Sequence, residues 1–427
     1  MLTKESSGYN QARFGYQRLH PHRPDAIFPV TSAVEVEEAV RYADQHDLRV
    51  AVQAAGHGLA EGIDGGVLIT TGDLNGVRVD PDRQTAWIEA GATWQDVAEA
   101  TAPHGLAPLS GSFPGVGAIS YTLGGGLGLM ARRYGYAADH VRRIELVTAD
   151  GVRRNAEVDP DLFWALRGGG GNFGVVTGIE VDLFEVPTLF GGSLYFDFAK
   201  YPAVLEVWRE WTRTVPDEVT SAVALVPLPD IPQVPEPIRG KHIAQVQLAI
   251  LGGGGEDLIT PLRAIGESAL DTVGRLPYLE SGKIFAEPDR PDSFRSRNAL
   301  LSDLDPDALA TLPKLAGPDA PAMCVIGIRH LGGALSRQPE VPNAIGHRGA
   351  SYSLTVLSPG HDDVSELHRA VLEPWRGVTI GRLLNFSAGP LTDDEIRGAF
   401  DPADHRRLVE LRNRYDAERR LAPNHEL

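Results

Sequence analysis

Apolar positions along the first part of the chain alternate between two periods. Ile27-Phe28-Pro29-Val30 reads as extended. Behind it, Ser32 and Glu35 make a capping-box pattern, and Val36, Ala39, Val40 and Ala43 fall at i, i+3, i+4 and i+7, which predicts an amphipathic helix. Arg49 to Ala54 predicts the next strand, and it runs directly into Gly56-His57-Gly58. Short strands are expected over Val67 to Thr70, Val77 to Asp80 and Thr85 to Ala90, then a helix over Thr93 to Pro103 capped by Thr93 ahead of Asp96. Ile144 to Val158 predicts a hairpin turning at Asp150-Gly151. Asp161 to Arg167 is expected to be helical, and Val175 to Val186 reads as a strand. These elements predict an α+β lobe over residues 1–187.

The texture changes near Thr188. Strands are expected at Leu194 to Phe196, Val219 to Val226, Ala244 to Leu251, Met323 to Ile328 and Tyr352 to Leu357, with a helix over Tyr201 to Thr214 and a proline-rich loop over Pro227 to Pro237. That alternation predicts one antiparallel sheet backed by helices on one face. Along Cys324 to His330, one face is apolar (Cys324, Ile326, Ile328) and the other offers Val325, Gly327 and Arg329. A closing helix is expected over Asp401 to Arg419.

With 427 residues, two lobes and a cleft between them are the starting expectation. The formal net charge of −17 argues against nucleic acid and against an anionic membrane surface as partners. The single cysteine, Cys324, excludes an internal disulfide and multi-cysteine metal sites, and its apolar setting predicts a buried packing residue. No metal site is expected. The polar first twenty-five residues carry no signal-peptide core, and no stretch reaches membrane length, so a cytoplasmic protein is expected.

Three glycine loops stand out: Gly56-His57-Gly58, the run from Ser110 to Gly128, and Gly168 to Gly174. Runs of glycine let backbone N–H groups turn toward an anion such as a phosphate. Gly169 to Gly174 fits the G-x-G-x-x-G spacing of a dinucleotide fingerprint, but a helix precedes it and a strand follows. The fingerprint needs the reverse order, which argues against a nicotinamide dehydrogenase. In the second loop, Gly111 to Gly117 and Leu123 to Gly128 flank one short apolar segment, a layout that lets backbone approach an extended diphosphate from both sides. His57, between two glycines at a strand end, would face anything in the loop's concavity with few neighbours around its ring. From spacing alone a solvent-exposed loop histidine is the plainer reading.

Four stretches together resemble the berberine-bridge-enzyme-like FAD-linked oxidases of the vanillyl-alcohol oxidase and p-cresol methylhydroxylase (PCMH) superfamily. They are Gln53-Ala54-Ala55-Gly56-His57-Gly58, the loop Gly111 to Gly128, Asp161 through Arg167 and the glycines to Gly174-Val175-Val176-Thr177, and the tail from Arg407-Leu408 through Tyr415-Asp416 to Asn424. The resemblance implies a two-part PCMH-type FAD-binding domain, residues 1–187 completed by 379–427, around a central substrate domain, 188–378. It implies FAD bonded through its 8α-methyl group to His57, and a cofactor site of Ala54, Ala55, Gly56, His57, Gly58, Leu59, Gly111, Ser112, Val116, Gly117, Ser120, Tyr121, Gly124, Gly125, Gly128, Leu129, Gly174, Val175, Val176, Asn385 and Asn424. Relatives with a second tether carry a cysteine where this chain has Phe113, so a bicovalent flavin is excluded. The 6-hydroxy-D-nicotine oxidase branch, which also lacks that cysteine, is the closer analogy. The usual Asp-Pro step after the tail tyrosine is Asp416-Ala417 here.

The expected chemistry is hydride transfer from a C–H bond beside nitrogen or oxygen to flavin N5, then to O2. The donor is expected to be a small amine, alcohol or secondary-metabolite intermediate. A dehydrogenase with another electron acceptor and a non-catalytic flavin protein are the alternatives, and a monomer or homodimer is expected. Arg329, Tyr352 and Asn385 are the catalytic candidates. Tyr352 would need a cation such as Arg348 to act as a base, since a free phenol has a pKa of about 10. Tyr121 is expected to wall the flavin site, and His330 and His347 are further acid-base candidates.

Overall fold

Ser32 accepts the Glu35 backbone N–H (3.3 Å) and caps the helix Ala33–Gln45, while the Glu35 carboxylate reaches back to Thr31 rather than to Ser32. Val36, Ala39, Val40 and Ala43 are all buried. Burial of that stripe stabilises the helix by on the order of 1–3 kcal/mol for each large side chain. Thr93 and Asp96 form a reciprocal capping box at Trp94–Thr101. The computed structural model describes residues 1–318 and 320–427.

The strands Ala26–Pro29 and Val50–Gln53 do not pair with each other; Val67–Thr70 lies between them, parallel to both. A five-stranded antiparallel sheet follows in the order Val77–Asp80, Thr85–Glu89, Val175–Asp182, Val141–Val147, Arg153–Asn155. Both sheets share one apolar core, which includes Val36, Val67, Ile88, Trp94, Ile144 and Ile179. The C-terminal helix Pro402–Tyr415 returns to this lobe. Leu408, Leu411 and Leu421 join its core, and Val50 pairs with the tail through Arg420 and Ala422.

A nine-stranded antiparallel sheet runs from Thr188 to Gly381. Its central strands are His242–Ile250, Val219–Pro227, Val325–His330, Tyr352–Pro359 and Phe294–Leu301. Phe294–Leu301 was not expected from the sequence: its polar Arg-Ser-Arg-Asn stretch leaves only a short apolar run, Ala299 to Leu301, to mark it. One face (Leu194, Val246, Val223, Ile328, Leu354) packs on helices that supply Trp208, Leu312, Val371 and Trp375. Cys324 is buried on this helix side. The opposite face turns toward the first lobe, where Leu300 packs with Leu127, Ala131 and Tyr136.

Candidate functional site

The strand Val50–Gln53 ends at the His57 loop, and three distant segments hold that loop. Tyr16 and Gln17 donate backbone N–H groups to the carbonyls of Ala55 and Gly56 (2.9 Å each). Gly15 and Gly56 cross so closely that neither has room for a Cβ. From the tail, the Asn424 side chain accepts the Ala60 N–H (2.6 Å) and donates to the Gly58 carbonyl. The His57 ring is therefore not free, contrary to expectation. It stacks on Tyr16 (3.8 Å between centroids) and on Phe113 (5.0 Å). Burial pushes its pKa down to about 4, and its Nδ1 is buried with no hydrogen-bond partner.

The second glycine loop lies against the first. Gly117 approaches Ala54, Ser120 donates to the Gly117 carbonyl (3.2 Å), and Thr93 bridges to Gly117. Its short apolar segment is the helix Ala118–Leu123. The Tyr121 ring is wedged among Gly111, Gly126 and Gly128, where a Cβ would strike it. Its buried hydroxyl has no partner, and desolvation raises its pKa well above 10. Asn385 Nδ2 donates to the Tyr121 carbonyl (2.8 Å), and its Oδ1 fills the space that a Gly124 side chain would need.

The third loop has another task in addition to any contact with phosphate. Helix Pro160–Leu166 precedes it and strand Val175–Asp182 follows, the order inferred from the sequence. Asn172 donates to the carbonyls of Gly169 (3.0 Å) and His425 (3.1 Å) and accepts the Leu427 N–H (3.2 Å), tying the tail down. Leu129, Val175 and Val176 place their side chains in the apolar core, which leaves only their backbone for a cofactor. Val116 packs at the edge of that core, and Leu59 is half-buried.

Across the cleft, Arg329 projects from the sheet as the alternation requires and donates to Ser112 Oγ (3.1 Å). Its guanidinium sits over the rings of Phe285 (4.5 Å) and Phe386 (5.1 Å). Gln247, Ser193, Gln245, Ser353, Thr355 and Asn298 share its face by register.

Three expectations are corrected. Tyr352 belongs to the helix-facing side: its hydroxyl is 2.7 Å from Thr212 Oγ1, its ring lies against Trp208, and Arg348 pairs with Asp139 instead (2.6 Å). It cannot serve the cleft as a base. His330 is on that same side, 2.9 Å from Arg132, and burial pushes its pKa down to about 3. His347 faces the Gly398 carbonyl (3.1 Å) and Asp401, away from the glycine loops.

Tyr16, Phe285 and Phe386 were missed. The only trace of Tyr16 in the sequence is a glycine between aromatics, Phe14-Gly15-Tyr16; the two phenylalanines leave none, because each is far in sequence from Arg329.

An FAD binding domain family model matches residues 24–156. The (R)-6-hydroxynicotine oxidase of Paenarthrobacter nicotinovorans is 28% identical over 100% of this chain and 96% of its own length. Over its whole length the chain is similar to this FAD-linked oxidase. The crystal structure of 6-hydroxy-D-nicotine oxidase from Arthrobacter nicotinovorans matches with a TM-score of 0.81 and 25% identity, covering 98% of this chain and 95% of that one. A xylooligosaccharide oxidase from Myceliophthora thermophila, in complex with xylobiose, has the same fold with a TM-score of 0.84 and 20% identity, over 100% of this chain and 95% of that one. The enzyme is thus an FAD-dependent oxidoreductase. Among the described residues no helix is long and apolar enough to cross a membrane.

Proposed function

We propose that this enzyme is an oxidase that carries FAD on a single bond to His57 and oxidises a small amine or alcohol, with O2 as the final electron acceptor. The observation that carries the reading is the buried, unpartnered Nδ1 of His57. An orphaned buried nitrogen costs about 1–3 kcal/mol, and a bond to the 8α carbon of the flavin would remove that cost. With its pKa near 4 the imidazole is neutral at pH 7, so a ring nitrogen lone pair is available to form the bond. Tyr16 and Phe113 hold the ring plane, and Phe113 leaves no thiol for a second tether.

The glycine cradle fits the same cofactor. Gly56, Gly58, Gly111, Gly117, Gly124 and Gly125 would bring backbone up to it, with Ala54, Ala55, Ser112, Ser120 and Asn385 around them. Asn424 acts as a positioning residue through the Gly58 to Ala60 backbone. We assign residues 1–187 and 379–427 to the FAD-binding domain and residues 188–378 to the substrate domain, because the tail shares the first core.

Bound FAD supplies a two-electron acceptor for hydride from a carbon beside nitrogen or oxygen. Around it, the chain's residues exclude water and orient the donor. Tyr121, and Tyr195 on the sheet, are phenols that burial keeps protonated, so neither takes a proton near neutral pH. A donor carbon beside a neutral nitrogen needs no such base, which favours an amine over an alcohol.

Acid denaturation of the purified protein tests the attachment. Yellow, fluorescent flavin should stay with the precipitated chain, and His57→Ala should release it to the supernatant. Colourless protein after expression with ample riboflavin would sink the reading. Peroxide formed during turnover, measured against dye reduction under nitrogen, separates an oxidase from a dehydrogenase.

A further inference from the structure

Among the described residues five arginines are buried, and each is held by a carboxylate or by backbone carbonyls. Arg132, Arg209, Arg348 and Arg412 each have a carboxylate within reach: Asp217 (3.6 Å), Glu206 (2.8 Å), Asp139 (2.6 Å) and Glu426 (2.7 Å). Arg167 lacks one but donates to three carbonyls, those of Phe163, Val341 and Pro342. Arg329, half-buried on the face of the sheet opposite the helices, differs from these five. Its one hydrogen bond goes to a neutral hydroxyl, Ser112 Oγ, and it forms no ion pair among the described residues. Glu287, the carboxylate that acts on it through space, is solvent-exposed.

A guanidinium presents five N–H donors in a planar fork. Here two phenyl rings lie against the guanidinium, and its donor edges carry a single hydrogen bond. A half-buried cation with no counter-charge of its own offers an arriving anion a charge-assisted pair. The narrow cavity beside it is lined by Leu127, Thr220, Gln247 and Phe285 among others, with no Asp, Glu or second Arg or Lys. One fixed positive charge balances one negative charge. Planar, bidentate donors match a carboxylate.

We propose that Arg329 recognises a carboxylate on the substrate, so that the donor oxidised in this cleft is a small carboxylic acid held as its anion. This rests on the flavin-oxidase reading for the identity of the cleft, and it adds the substrate class. Ser112 keeps the fork aimed at the glycine-loop side, and Phe285 and Phe386 flank it. A neutral isostere of the acid forfeits the charge-assisted pair and leaves the guanidinium uncompensated.

The test uses the flavin-loaded enzyme, benzoate as probe and benzamide as its neutral counterpart, with binding read from the flavin difference spectrum and from calorimetric heat. Benzoate should bind at least tenfold more tightly than benzamide. Arg329→Gln should abolish that preference, and Arg329→Lys, which keeps the charge but not the fork, should retain part of it. If Arg329→Gln does not fold, the Lys variant decides alone: an undiminished preference overturns the proposal. Equal affinities in the unmodified enzyme overturn it too, as does a Gln variant that keeps the preference and changes only the flavin midpoint potential, since the guanidinium would then serve the cofactor. A colourless protein sinks the flavin reading, whereas a yellow protein indifferent to benzoate sinks only the carboxylate.

Discussion

The wall around His57 is built from glycine and backbone, whereas the wall facing it is built from side chains that six strands of one sheet bring into register. The first is crowded: Gly15, Gly56, Gly124 and Gly128 sit where any Cβ would collide. The second is open in the middle, with Ala222, Ala224 and Gly327 at neighbouring register positions and polar groups around them. A wall of main chain binds what every member of a cofactor class shares. A wall of side chains is free to vary with the substrate, because one replacement there disturbs no backbone.

That contrast is open to attack in order of expected effect. Gly128→Ala would drive its Cβ into the Ser110 carbonyl and the Tyr121 hydroxyl, and should cost about 3 kcal/mol or more with loss of bound flavin, as chemical unfolding and visible absorbance would report. Ala224→Ser on the other wall should leave both nearly unchanged; equal damage there would erase the distinction.

Acid comes next. His22 is pushed down to about 4 by burial, from an ordinary value of 6.5. Below pH 6.5 the unfolded chain takes up a proton that the folded chain refuses. Stability therefore falls as pH drops from 6.5 toward 4, by on the order of 3 kcal/mol for such a group, and this term levels off below. Urea midpoints at pH 7 and 4.5 should differ less in His22→Asn.

Asn424→Ala removes two hydrogen bonds from the His57 loop and should cost about 1–2 kcal/mol, with slower flavin attachment seen as a lower ratio of visible to ultraviolet absorbance. The smallest effect belongs to Tyr352→Phe. It loses one buried contact with Thr212, worth about 1 kcal/mol in a thermal melt, and should leave the pH profile of turnover unmoved. A lost basic limb would return Tyr352 to the cleft.

Local pattern carried most of the first lobe. Strand Val67–Thr70, the Thr93 capping box and the helix–glycine–strand order around Gly168 to Gly174 follow from neighbours within a few residues, and there the sequence and the structure agree. It carried one face of the sheet as well: the alternation through Val325–His330 put Arg329 on the side opposite Ile326 and Ile328. Tyr352 failed because a strand-end aromatic next to a cation reads the same whichever face it takes; the Thr212 hydroxyl, from a helix well over a hundred residues away, settled the matter.

By itself, then, the amino-acid order determined the periodicities, the glycine loops, the absence of a second cysteine and the motifs that place this chain among flavin enzymes, since each depends on contacts short in sequence. Only the tertiary structure decided that Tyr16 and Phe113 clamp His57, that Asn172 and Asn424 fasten the tail, and that Arg329 faces two phenyl rings with no carboxylate partner among the described residues. Those are contacts between segments tens to hundreds of residues apart. Packing selects them through shape and desolvation, and neither leaves a local signature.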